Sequence, residues 1–115
     1  MGQYPTFQQI APQDAVSLLD EGAVLVDVRE PEEWNLGRAP QAIHIPLGEL
    51  SVRLAELPTD RKLIMVCRSG GRSGRAAEAL VNRGLEALNL AGGMQAWKAA
   101  SLPVVADGGV PGEVA

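Results

Sequence analysis

Leu63-Ile64-Met65-Val66-Cys67-Arg68-Ser69-Gly70-Gly71-Arg72-Ser73-Gly74-Arg75-Ala76-Ala77-Glu78-Ala79-Leu80 passes from an unbroken apolar run, through glycines and arginines, into a helix-forming stretch. That order reads as a buried strand, a tight loop and a helix. A cysteine at such a junction sits where backbone N–H groups converge and the helix dipole is positive. Arg68 and Arg72 in the loop, with Arg75 beyond it, add fixed positive charge. These surroundings lower a thiol pKa and favour the nucleophilic thiolate. A lone cysteine is more often an inert core residue, but arginines and paired glycines are poor company for one. Cys67, the only cysteine in the chain, is therefore read as a reactive thiol.

Strand and helix signals alternate on both sides of this stretch. Phe7 to Ile10 is a short edge-strand candidate. Pro12 suits a first helical turn, and Ala11, Ala15, Leu18 and Leu19 make one apolar face that ends at Gly22. Ala23 to Val28 is a β-branched run of buried-strand type. Pro31-Glu32-Glu33-Trp34 predicts a short helix with acids in its first turn, and Ala42 to Ile45 another strand, ended by Pro46. Leu47, Leu50, Leu54 and Leu57 recur at spacings of three and four, which predicts a helix face closed by Pro58. The helix after Cys67 is expected to run to about Arg83, with Gly84 as its stop. Ala87 to Leu90 is a last strand, and Gly92-Gly93 turns the chain into a short helix around Trp97.

Such alternation implies an α/β fold, a mostly parallel sheet with helices on both faces. Ligands in these folds bind beyond the carboxyl ends of the strands, where Cys67 falls. Residues 1–105 are expected to form one domain and residues 106–115, with three glycines and a proline, a mobile tail.

Composition limits the function classes. A chain of 115 residues suits a single domain that buries about two-thirds of its unfolded surface. With 46% hydrophobic and 21% charged residues and a net charge of −4, it has no basic stripe for nucleic acid. One cysteine supplies neither an internal disulfide nor a multi-thiolate zinc site. Met1 to Pro5 lacks the pattern of a signal peptide, and no apolar run approaches a membrane span. A reducing, cytoplasmic setting is expected, with no metal and no cofactor.

Four fragments together resemble the single-domain rhodaneses, a family of sulfurtransferase modules. They are Val26-Asp27-Val28-Arg29-Glu30-Pro31-Glu32-Glu33-Trp34, Ala42-Ile43-His44-Ile45-Pro46-Leu47, the loop 67–72 with its helix, and Gly92-Gly93-Met94-Gln95-Ala96-Trp97 ahead of Leu102-Pro103-Val104. The resemblance runs from about residue 6 to about residue 105. It implies a central sheet of five strands, a Cys67 that carries sulfur as a persulfide, and an anion pocket formed by residues 68–72. The chain departs from the family at one place. Where the family often carries Gly-His-Ile-Pro-Gly-Ala, it reads Gly37-Arg38-Ala39-Pro40-Gln41-Ala42.

The chemistry also follows from the residues. A donor such as thiosulfate is a small dianion whose outer sulfur a thiolate attacks. The site must then hold a thiolate and attract an anion. Inward-pointing loop N–H groups meet both needs, and Gly70 and Gly71 permit the positive φ angles of such a nest. Arg68 and Arg72 offset charge on the donor and on leaving sulfite, while Ser69 and Ser73 can donate to a sulfur anion. A thiol, or cyanide in an assay, then removes the outer sulfur, which is ping-pong covalent catalysis. A protein sulfur donor or acceptor is equally compatible, so a non-enzymatic carrier or interaction module is the alternative. Cysteine phosphatases use a related cradle one residue longer. Here four residues separate Cys67 from Arg72, so the pocket is smaller and suits sulfur.

Supporting residues have two readings each. Asp27 and Arg29 either orient the Cys67 loop or form a local ion pair or turn cap. Ser73 is either a sulfur contact or a helix N-cap. Glu32 and Glu33 read as first-turn charges, His44 as a strand histidine without metal partners, and Trp34 and Trp97 as packing residues.

Overall fold

The computed structural model describes residues 7–114, so the reading of Met1 to Pro5, and Ala115 of the expected tail, lie outside it. Five strands form one sheet: β1 (Gln8–Ile10), β2 (Val24–Asp27), β3 (Ile43–His44), β4 (Leu63–Val66) and β5 (Ala87–Leu90). Their order is β1-β5-β4-β2-β3, and every pairing is parallel. The helices are α1 (Pro12–Asp20), α2 (Pro31–Leu36), α3 (Gly71–Asn82) and α4 (Gly93–Ala99).

Alternation along the central strands divides the core into two layers. Leu63 and Met65 of β4 point with Val26 and Ala87 toward Ala76, Ala77 and Leu80 of α3. Ile64 and Val66 point the other way, with Leu25 and Leu90, toward Ala15 of α1 and Met94 and Trp97 of α4. All four β4 residues are buried, which explains why that strand reads as a continuous apolar run. Trp97 is fully buried and its indole Nε1 donates to the carbonyl of Pro103 at 2.8 Å, as its apolar body and single donor require.

One expected helix is absent. The Leu47–Leu57 segment forms two short 3₁₀ turns, Leu47–Glu49 and Leu54–Glu56, instead of one continuous α-helix. Its leucines still face the α3 layer, Leu50 and Leu57 buried and Leu47 and Leu54 packed against them. Spacings of three also fit 3₁₀ geometry, so the periodicity marked the buried face without fixing the helix type.

Residues 106–114, set apart from sequence as a mobile tail, lie against the domain. Val105 bridges Arg38 and Pro111, the Glu113 amide donates to the Leu36 carbonyl at 2.9 Å, and Val114 packs on the α1/α4 layer. Arg38, in the stretch that departs from the family pattern, reaches Asp107 at 2.7 Å and stacks its guanidinium 4.9 Å from the Trp34 ring.

Candidate active site

The chain leaves the carboxyl end of β4 at Cys67 and enters the loop that leads to α3, with the start of α4 bonded to the back of that loop. Cys67 is 2% exposed. Gly70 has φ 110°, which turns the loop back so that its own amide donates to Cys67 Sγ at 3.1 Å. Gly71 takes helical geometry as the first residue of α3, so the nest uses one positive φ in place of the two foreseen. Behind the loop, α4 presses close. The amides of Met94 and Gln95 donate to the carbonyls of Cys67 and Arg68 at 2.8 and 3.0 Å. That approach requires Gly93, where a Cβ would lie 2.5 Å from both carbonyl oxygens and φ is +60°.

Ser73 is buried inside α3 and does not cap it; Gly70 occupies the N-cap. Its hydroxyl oxygen lies 3.3 Å from Cys67 Sγ and 2.6 Å from Asn89 Oδ1. Burial pushes the Cys67 thiol pKa up. Contacts from the Ser73 hydroxyl and from the amides of Ser73, Gly70 and Ser69 pull it down, and the net result lies below the ordinary thiol value. Arg68 and Ser69 stand exposed on the loop.

Arg72 is paired with a carboxylate. Its guanidinium forms a two-bond fork with Glu33 of α2, and this pairing, opposed by partial burial, holds the Glu33 carboxyl down at about 2. Glu33 also caps its own helix by accepting the Glu30 amide at 3.0 Å. Asp27 and Arg29 are fully buried and paired through Nε and Nη2 at 2.8 to 3.0 Å. Arg29 Nη2 also donates to the Gly37 carbonyl at 2.7 Å, while its Nη1 has no partner among the described residues. The His44 Nε2–H donates to the Arg29 carbonyl, and the His44 ring stacks on Trp34 at 4.6 Å. The side chains of this buried pair thus meet each other and the Gly37 turn rather than the loop 68–72. Among the described residues no cluster of three metal-ligating side chains is present, and no helix is long and apolar enough to cross a membrane.

Two residues of the site were not singled out from sequence. Glu33 was read only as a first-turn charge. Asn89 was passed over, although an amide inside the buried run Ala87-Leu88-Asn89-Leu90 is a signal, because a polar side chain there must find partners.

Comparison with known proteins agrees with the fold. The family model described as "Rhodanese-like domain" matches residues 11–100. A "Sulfurtransferase" of Allochromatium vinosum is 41% identical over 90 residues, covering 77% of this chain and 84% of that protein. A "Thiosulfate sulfurtransferase GlpE" of Pseudomonas syringae pv. syringae is 33% identical over 93 residues, covering 80% and 88%. The crystal structure of a rhodanese-related protein from Thermoplasma volcanium superimposes with a TM-score of 0.80 at 33% identity, covering 86% of this chain and 98% of that one.

Proposed function

The chain belongs to the family of rhodanese-like domains, and from that membership we propose that it is a sulfurtransferase that moves sulfane sulfur through a Cys67 persulfide. The observation that carries this reading is the Cys67 sulfur at the end of β4, receiving the Gly70 amide at 3.1 Å inside a loop whose other N–H groups also favour its anion.

The first step is attack of the Cys67 thiolate on the outer sulfur of a small anionic donor such as thiosulfate. A bond forms between Sγ and that sulfur, the donor's S–S bond breaks, and its electron pair leaves with sulfite. The resulting Cys67–S–S⁻ sits in the same N–H cradle, which stabilises charge wherever it lies along the two sulfurs. A thiolate or cyanide acceptor then bonds to the outer sulfur and returns the electrons to Sγ, restoring the thiolate. Arg68, Ser69, Gly70, Gly71, Arg72 and Ser73 shape the pocket. The reading includes a reducing, cytoplasmic setting, where a lone thiol stays available.

A persulfide carrier fed by another protein uses the same loop and is the second reading, favoured by the exposure of Arg68 and Ser69 beside the thiol. Phosphoryl transfer is disfavoured by the short loop and by Arg72, whose fork is closed on Glu33.

Intact-mass measurement after exposure to thiosulfate tests the reading. A gain of one sulfur is expected, removable by cyanide or dithiothreitol and absent from Cys67→Ala. Persistence of the reversible adduct in Cys67→Ala would place the chemistry elsewhere. Steady-state turnover of thiosulfate, set against loading by a persulfidated donor protein, separates enzyme from carrier.

A further inference from the structure

Asn89 lies at the centre of the β5–α3 contact, is 2% exposed, and touches three separate pieces of the chain. Its Nδ2 donates to Gln9 Oε1 on the edge strand β1 and to the carbonyl of Gly70, both at 3.0 Å. Its Oδ1 faces Ser73 Oγ at 2.6 Å. The amide orientation is fixed chemically, because a backbone carbonyl only accepts and Gly70 therefore demands the NH₂ end. Oδ1 must then receive a proton from Ser73. A serine hydroxyl has one proton to give, and Cys67 Sγ is its other neighbour, farther away at 3.3 Å.

We propose that Asn89 is a positioning residue that competes with Cys67 for the single Ser73 proton and so restrains ionisation of the nucleophile. With the thiol protonated, every group is satisfied: the S–H points at a lone pair of Ser73 Oγ, and the hydroxyl donates to Asn89 Oδ1. When the thiol proton leaves to solvent, Ser73 must either keep its lone pairs against the sulfur anion or rotate its O–H from Oδ1 to Sγ. Rotation stabilises the thiolate and leaves a buried amide oxygen without a donor, which is unfavourable. In the persulfide the charge moves to the outer sulfur, and the Ser73–Asn89 bond can re-form. The Ser73–Asn89 bond therefore offsets part of the lowering that the Ser73 hydroxyl and the loop amides give the thiol, and it is intact in the resting thiol and in the loaded form.

The charged groups on the elements around Cys67 include Arg68 in its own loop, Arg72 and Arg75 of α3, Glu33 of α2 paired with Arg72, and the buried Asp27–Arg29 pair at the end of β2. β1 and β5 contribute only uncharged side chains, and α4 carries a charge only at Lys98 in its last turn. None of these touches Ser73 Oγ among its hydrogen-bond partners.

The proposal rests on Cys67 being the reacting thiol but is tested without any sulfur donor, so its failure is distinct from failure of the sulfurtransferase reading. The chain has a single cysteine, so thiolate ultraviolet absorbance, after subtraction of the Cys67→Ala titration to remove the contribution of Tyr4, reports that one thiol. Its pH midpoint is compared in the parent, Asn89→Ala, Ser73→Ala and the double variant. Freeing the Ser73 proton in Asn89→Ala should lower the midpoint by about 0.5–1 pH unit, and the same change made in the Ser73→Ala background should leave it unmoved. Residue 89 acting only as a brace for the loop gives a raised midpoint in Asn89→Ala, or equal shifts in both backgrounds, and either result overturns the proposal. If Asn89→Ala does not fold, Ser73→Ala decides alone. A shift below about half a unit supports competition for the proton, and any larger rise means that the hydroxyl already serves the thiolate and refutes it.

Discussion

Arg72 and Glu33 meet in a parallel fork, Nη1 to Oε1 at 2.7 Å and Nη2 to Oε2 at 2.9 Å, which joins the first turn of α3 to the first turn of α2. The cation expected to face the donor is thereby neutralised in the unliganded protein. Breaking the fork from either end should move donor affinity in opposite directions. Glu33→Gln leaves Arg72 unpaired and should lower the KM for thiosulfate by a few-fold to about tenfold. Arg72→Ala leaves a carboxylate facing an anionic substrate and should weaken transition-state binding by about 1.5–3 kcal/mol. Steady-state kinetics of both variants read the two signs directly; equal KM values would mean that the fork stays out of the pocket.

The same pair gives a pH signature. The Glu33 carboxyl is depressed from 4.5 to about 2, so its stabilising contribution is complete above about 4.5 and is lost as pH falls toward 2. Denaturant melts across that window should lose stability more steeply in the parent than in Glu33→Gln.

Cys67 should show a related dependence at the alkaline end. Its folded pKa lies below the ordinary value of 9.0, so thiolate formation favours the folded state. That contribution is present in full above 9.0 and is lost as pH falls through the folded pKa. The stability difference between parent and Cys67→Ala should grow with rising pH and level off above 9.0.

Gly93→Ala should be destabilising by about 1–3 kcal/mol from backbone strain alone, with the clash against the Cys67 and Arg68 carbonyls added. Thermal melts measure the loss. Persulfide loading should fall with it, since relief of the clash displaces the carbonyl of the nucleophile itself.

Inserting a glycine between Gly71 and Arg72 tests the loop length. One extra residue rotates the start of α3 by a helical step, parting Arg72 from Glu33 and Ser73 from Cys67. A loss of about 100-fold in sulfur transfer is expected from such misplacement. Hydrolysis of aryl phosphates by the parent should be negligible, and a parent that hydrolyses them faster than it turns over any sulfur donor would overturn the assignment.

Two ion pairs illustrate how much burial decides. Asp107 is 85% exposed, so Asp107→Ala should change stability by less than about 1 kcal/mol. Asp27→Ala strands the guanidinium of Arg29 in a site with no exposure and should be destabilising by about 3–5 kcal/mol. Urea midpoints of the two variants should differ accordingly.

The strand–loop–helix around Cys67 and the parallel sheet were legible because each is written locally. Leu63–Val66 is apolar on both faces, and glycine must follow where the chain turns sharply. The Leu47–Leu57 segment misled because leucines three apart satisfy both helix types, and only the tertiary fit against α3 selects between them. Glu33 escaped because its partner lies 39 residues away, and the buried amide of Asn89 announces a need for partners without naming one 16 residues away. Asp27 and Arg29 were legible as a pair, whereas their use of the Gly37 carbonyl depends on how α2 ends.

The two amides of α4 that bond the carbonyls of Cys67 and Arg68 make the back of the pocket and the first turn of that helix a single opening unit. Neither bonded amide exchanges until α4 and the Cys67 loop part at these two bonds. Hydrogen exchange at Met94 and Gln95 therefore reads how often the backbone that carries Cys67 loses its support from behind.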